Sequence, residues 1–168
     1  MIEELGISEG STRVDLAVVY RSHFHGFEIK SERDNLDRLK DQIEGYSRVL
    51  DSVTLVTCAN HLEKASKQIP TWWGIWLARE VKGSIRFVKL RQPRQNDSID
   101  PLYVAKLLWK DEALQALRNR GLDKGVRSKT RDQIWQRVIE SFSTPDLKNL
   151  VNESMKSRQN WRTGPVLA

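Results

Sequence analysis

The chain has 168 residues, with 28 Lys and Arg against 22 Asp and Glu, a size that suits one domain with a substantial core. No apolar run approaches the ~20 residues of a membrane span, and the amino terminus lacks the apolar stretch of a signal peptide, so a cytoplasmic protein is expected. The single cysteine, Cys58, forms no internal disulfide and lies in an apolar run, which predicts a small buried side chain. His23, His25 and His61 show no zinc-ligand spacing.

In chain order, Ile2 to Leu5 reads as the last turn of a helix ending near Gly6, and that turn carries Glu4. Arg13 to Tyr20 and Gly26 to Lys30 read as antiparallel strands joined by a loop near Ser22 and His23, with His25 also in the loop. Pairing of this kind brings Asp15 into the neighbourhood of Glu28 to Lys30. Alternation sends Glu28 and Lys30 to one face and Phe27 and Ile29 to the other, which is expected to be the core face. Asp34 is placed to cap a helix whose apolar positions are Leu36, Leu39, Ile43, Val49 and Leu50. On that helix Gln42 and Tyr46 lie four apart and share a face. Two carboxylates and an ammonium on one surface suit a hard cation such as Mg²⁺ or Mn²⁺; the alternative is a solvated strand face with cross-strand charge pairing.

Val53 to Cys58 reads as a third strand and Asn60 to Gln68 as a helix, followed by a hairpin of Ile75 to Val81 and Ser84 to Leu90 around Lys82-Gly83. Arg91 to Asp100 is polar, with Pro93 inside it and Pro101 following, and divides a core of residues 1–92 from a basic helical subdomain of residues 101–168 packed on it. Beyond it, Leu102 to Leu117, Thr130 to Phe142 and Thr144 to Arg158 read as helices, the last capped by Thr144 with Pro145 at its first position. A packing bundle is expected of them rather than a helix-turn-helix DNA reader. Trp72, Trp73 and Trp76 are expected to pack in the core rather than to stack on bases, and Trp109 and Trp135 to face the same interior. Residues 1–100 hold 15 basic and 15 acidic side chains, whereas residues 101–168 hold 13 and 7. Such an excess suits a phosphate-bearing partner. Its densest part is Lys124, Arg127, Lys129 and Arg131, with Arg118 and Arg120 before it and Lys156, Arg158 and Arg162 after. Arg91 and Arg94 join these as phosphate-backbone candidates if their loop lies beside the site.

The order Glu4, Asp15, Glu28-Ile29-Lys30, then Gln42 with Tyr46, resembles the PD-(D/E)XK nuclease superfamily. Arg13 to Val19, Gly26 to Leu39, Gln42 to Tyr46, Ile69 to Ile75 and Leu107 to Leu114 look like a small bacterial and phage family within it, so the resemblance spans most of the chain. Val14 stands where the superfamily has proline, and Glu3 competes with Glu4 for the first acidic position. The resemblance implies an α/β restriction-endonuclease-like core with a mixed central sheet flanked by helices, followed by the helical subdomain. It implies Mg²⁺, with Mn²⁺ substituting, held by Asp15, Glu28 and the Ile29 carbonyl, with Lys30 orienting or activating water. Gln42 and Glu4 assist catalysis in this reading, and Tyr46 contacts nucleic acid. The expected activity is hydrolysis of DNA, or RNA, by a homodimer or with a partner protein that supplies recognition. A catalytically silent DNA-binding or assembly module and a junction-resolving endonuclease are the alternatives.

Overall fold

The computed structural model describes residues 1–158. Its elements are β1 (Ile2–Ile7), a 3-10 turn (Ser8–Gly10), β2 (Thr12–Val19), β3 (Phe24–Lys30), α1 (Leu39–Ser47), β4 (Ser52–Thr57), α2 (Ala59–Gln68), β5 (Gly74–Val81), β6 (Ser84–Arg91), α3 (Pro101–Ala105), α4 (Lys110–Asn119), α5 (Arg131–Ser141) and α6 (Thr144–Ser157). The six strands form one mixed sheet in chain order. β1, β2 and β3 are antiparallel, β3, β4 and β5 are parallel, and β6 returns antiparallel to β5. Parallel neighbours need crossovers, which α1 and α2 supply. Both crossovers step in the same direction along the sheet, so right-handedness places both helices on one face. β4, the Val- and Thr-rich central strand, is buried at every position. Among the described residues no helix is long and apolar enough to cross a membrane.

The carboxy-terminal helices share this core. Val14, Tyr46 and Leu55 belong to the same buried cluster as Leu108, Leu117, Trp135 and Val151. The polar 91–100 segment is tied down rather than free. Buried Asp51 accepts the Phe24 N–H at 2.7 Å and Gln95 Nε2 at 3.1 Å, and pairs with Lys148 of α6. Asn96, also buried, donates to the carbonyls of Ser47 and Leu50 at 2.7 and 2.8 Å.

Several local expectations are corrected. Ile2–Ile7 is a strand and not a helix end, because β2 offers it a full antiparallel partner from Ile2↔Ala17 to Ile7↔Thr12. Asp34 does not cap α1; its carboxylate accepts the N–H and the hydroxyl of Ser31 in a local turn, and α1 begins only at Leu39. The helix expected over Leu102 to Leu117 is two helices, since Trp109 is extended and its N–H is taken by Glu112 at 2.7 Å as α4 restarts. Trp109 is consequently 53% exposed, with the Arg158 guanidinium 4.4 Å above its ring, while Trp135 is buried. α6 is capped one residue earlier than expected, by Ser143. Cys58 is half-buried at the start of α2. His25 lies in β3 and not in the loop.

The largest correction concerns the faces of β3. Alternation holds, but its sense is reversed: Glu28 and Lys30 are buried beneath α1, while Ile29 is 47% exposed. The helices cover the charged pair, and the opposite face is left to the apolar residues.

α1 reaches the sheet because position 45 has no side chain. A Cβ there would lie 2.7 Å from Thr12 Oγ1 and 2.9 Å from Thr12 Cβ. Gly45→Ala is expected to push α1 off β2 and to destabilise by about 1–3 kcal/mol, against a gain of at most ~1 kcal/mol in helix propensity. The check is a melting temperature lowered by several degrees; an unchanged or raised value contradicts the close approach.

Candidate functional site

β2 and β3 present Asp15 and Glu28 side by side, and α1 lies over them. Asp15 Oδ2 accepts the Ile29 N–H at 2.7 Å, fixing the carboxylate against β3. Glu28 is fully buried, and its Oε1 faces Lys30 Nζ at 2.7 Å without accepting a well-directed hydrogen bond. Lys30 Nζ donates to Gln42 Oε1 at 3.1 Å. The Tyr46 hydroxyl sits between Glu28 Oε2 and the Arg13 carbonyl, the latter at 2.6 Å. It carries one proton for two acceptors, and protonation of Glu28 would satisfy both, with the carboxylic acid donating to the tyrosine oxygen. Trp73 stacks on Tyr46 from behind, ring centroids 5.7 Å apart and nearly parallel. Tyr46 is therefore fully buried and holds Glu28, whereas the sequence reading placed it at a nucleic-acid surface.

A cleft of about 450 Å³ opens beside this cluster, lined by Glu4, Arg13, Asp15, Arg38, Asp41 and Gln42 among others. Asp15 and Gln42 reach the cleft, whereas Glu28 and Lys30 lie behind them, outside its lining. Glu4 reaches it from a strand: the β1–β2 ladder steps from Glu3↔Leu16 to Leu5↔Val14, which sets Glu4 opposite Asp15. It pairs with Arg13 at 3.1 Å and holds φ at +52°, a strained value for a residue with a side chain. Ser8 and Glu9, in the turn that follows, share this left-handed conformation.

Arg13 and Arg38 are the residues that sequence reasoning missed. Both signals were present, since Arg13 precedes Asp15 by two on a strand and Arg38, the N-cap residue at the start of α1, precedes Gln42 by four. The other cationic candidates lie elsewhere. Arg91 donates to the carbonyls of Trp73 and Pro70 at 2.6 and 3.1 Å, a staple on the sheet edge. Its ladder row runs Glu28↔Leu55↔Ile75↔Arg91, so it stands three strand spacings from Glu28, roughly 14 Å. Arg94 is exposed and donates to the Thr71 carbonyl at 3.2 Å. Lys124 and Lys129 are exposed between α4 and α5 and Arg131 is exposed at the start of α5, while Arg127 is engaged by Asp123 at 2.8 Å. Lys106 lies 2.6 Å from Glu9 and 3.9 Å from Asp132, which puts the start of α5 beside the turn after β1. Arg120 and Arg158 are paired with Asp146 and Glu112, and Arg162 lies outside the described residues.

Burial pushes the carboxyl groups of Asp15 and Glu28 above the ordinary range. The Asp15 charge adds to the rise at Glu28, which the Lys30 and Tyr46 contacts oppose; at Asp15 the Ile29 N–H opposes the rise and Glu4 adds to it. A raised carboxyl pKa means that the folded state holds its proton more tightly than the unfolded chain. Stability from this pair is therefore present below the ordinary carboxyl value of about 4 and is lost as pH rises through the raised values. Asp15→Asn keeps an acceptor for the Ile29 N–H and removes one of the two charges. In chelator it should raise the melting temperature near neutral pH and flatten its fall with pH; a lowered temperature with an unchanged profile contradicts this electrostatic account.

Residues 1–163 match the family described as Bacteriophage P4 protein cII. The protein cII of Enterobacteria phage P4 is 27% identical over 168 residues, covering all of this chain and 62% of that relative, so the chain spans less than two thirds of the relative's length. No solved structure matches the chain. Neither match extends to the PD-(D/E)XK superfamily, and that resemblance rests on the motif residues alone. Because the match runs through the sheet, the cleft and all four carboxy-terminal helices, the chain belongs to the Bacteriophage P4 protein cII family.

Proposed function

We propose that this protein is a divalent-cation-dependent nuclease that hydrolyses DNA phosphodiester bonds on a restriction-endonuclease-like fold, with Mg²⁺ as its ion and Mn²⁺ able to replace it. The observation that carries this reading is the meeting of Asp15, Glu28 and Lys30 on two paired strands, beside a cleft with Arg13 and Arg38 on its wall. The donor set fits a hard cation: two carboxylates and the Ile29 carbonyl are all oxygen. Glu28 Oε1 is buried without a well-directed donor, and both carboxyl groups are raised by burial, so a dication would offset the second of two carboxylate charges that the single Lys30 ammonium faces.

When bound, such an ion polarises a phosphate and acidifies water. In the hydrolysis the water oxygen joins phosphorus, the bond to the departing nucleotide oxygen breaks, and that oxygen takes up a proton. Gln42 holds the Lys30 ammonium, which orients the water and meets the negative charge building on the phosphate oxygens. Tyr46 fixes Glu28, and Arg13 and Arg38 bind the flanking phosphates. Arg131, exposed at the start of α5 beside the turn after β1, adds a further cation.

A second reading is favoured by the burial of Glu28 and the engagement of both its oxygens by Lys30 and Tyr46. A closed pair of this kind also suits a catalytically silent DNA-binding module.

Cleavage of labelled linear, circular, single-stranded and branched DNA in Mg²⁺ or Mn²⁺ separates these readings. Metal-dependent cutting is expected, reduced about a hundredfold or more in Asp15→Asn and in Lys30→Gln, with melting curves showing each variant folded. Restriction of cutting to branched DNA would make the protein a junction-resolving enzyme. Absence of cutting by the folded wild type, with DNA binding intact, overturns the nuclease in favour of the silent module.

A further inference from the structure

The face of the sheet opposite α1 carries a continuous line of rings. From β3 to β6 it runs His25, Phe27, Trp76, Phe87, with centroids 4.5, 5.5 and 6.2 Å apart. His23 and Tyr20 extend it at 6.4 Å per step. Lys89 Nζ lies 5.0 Å from the Trp76 ring centroid, and Phe87 is 56% exposed.

The β5–β6 hairpin that ends this line stands clear of the rest of the sheet. β4 pairs with β5 only as far as Leu77, so residues 78–87 form a two-stranded ribbon without a third strand. Residues 79–89 hold Arg79, Lys82, Arg86 and Lys89 against the single acid Glu80, all exposed. Arg79 and Arg86 are directly opposite on the ladder, an arrangement that repels, and among the described residues no carboxylate lies within ion-pair distance of either. The ribbon leaves the sheet at the end where Lys30 lies, in the row Lys30↔Thr57↔Leu77↔Val88.

We infer that this ring-lined face and its cationic ribbon bind single-stranded nucleic acid, with bases stacked on Phe27, Trp76 and Phe87 and phosphates held by Lys89 on the same face and, around the free edge of β6, by Arg79 and Arg86, which alternation turns to the reverse face of the ribbon. Rings offer sequence-tolerant stacking to unpaired bases, and duplex bases are stacked already. The unpaired arginines call for a polyanion. The inference deepens the nucleic-acid reading of the site and rests on it for the partner, but not for the chemistry, since binding here needs neither metal nor cleavage.

The test is fluorescence anisotropy of a labelled oligothymidine of about 16 nucleotides and of a duplex of the same length, in chelator, on the Asp15→Asn protein. The single strand should bind more tightly than the duplex. Phe87→Ala, at an exposed position, should weaken it about tenfold, Phe87→Tyr should restore it, and Arg86→Glu should weaken it and reduce its salt dependence. Equal affinities for Phe87→Ala and its parent, or preference for the duplex, overturn the inference even where metal-dependent cutting is intact. A dilution-sensitive dimer abolished by Phe87→Ala, without oligonucleotide binding, overturns it in favour of a second copy. Single-strand binding lost in Phe87→Ala upholds it even where the wild type cuts nothing.

Discussion

The Glu28–Lys30 ion pair, closed off from water between β3 and α1, is the constraint on which the rest of the arrangement depends. Two charges two residues apart on one strand are turned inward, and a buried pair survives only if its remaining lone pairs and protons find partners. α1 supplies them, Gln42 to Lys30 and Tyr46 to Glu28. Removing one member would leave the other buried and uncompensated, at a cost of about 3–5 kcal/mol. The geometry of the candidate site therefore also ties it to the stability of the fold.

Other features follow from where α1 must lie. A glycine faces Thr12 so that the helix can approach β2 closely, and Trp73 stacks behind Tyr46 to hold its hydroxyl in place. Asp15, on the rim, is the one carboxylate of the pair that reaches the cleft, where Arg13 and Arg38 wait on the wall. Charge is thus layered: exposed cations outside, Asp15 at the boundary, Glu28 and Lys30 within. With the helices committed to this face, the opposite face keeps its rings and apolar side chains open to solvent, and β6 carries them to the edge of the sheet.

The β2–β3 and β5–β6 pairs were legible because alternation, turn residues and the Lys82-Gly83 hairpin signal are local, whereas the parallel order of β3, β4 and β5 was not, since no local signal sets it. The juxtaposition of Asp15 with Glu28, Lys30, Gln42 and Tyr46 was legible too. Which face of β3 is buried was not, because that depends on where the crossover helices land and not on β3 itself; Ile29 looked like core and is half open. The amino-terminal strand was lost for a similar reason: Ile2 to Leu5 has no strong local preference, and its partner β2 decides its state. The break at Trp109 was hidden by apolar spacing that suits one helix as well as two. Arg91 shows that an arginine in a polar loop serves backbone carbonyls as readily as phosphates.

The most direct measurement is anomalous diffraction from crystals soaked in Mn²⁺. A metal peak within coordination distance of Asp15, Glu28 and the Ile29 carbonyl, with Lys30 drawn off Glu28 and still held by Gln42, is what the account requires. Saturating Mn²⁺ that leaves Glu28 closed on Lys30, with peaks only at surface carboxylates, would contradict it.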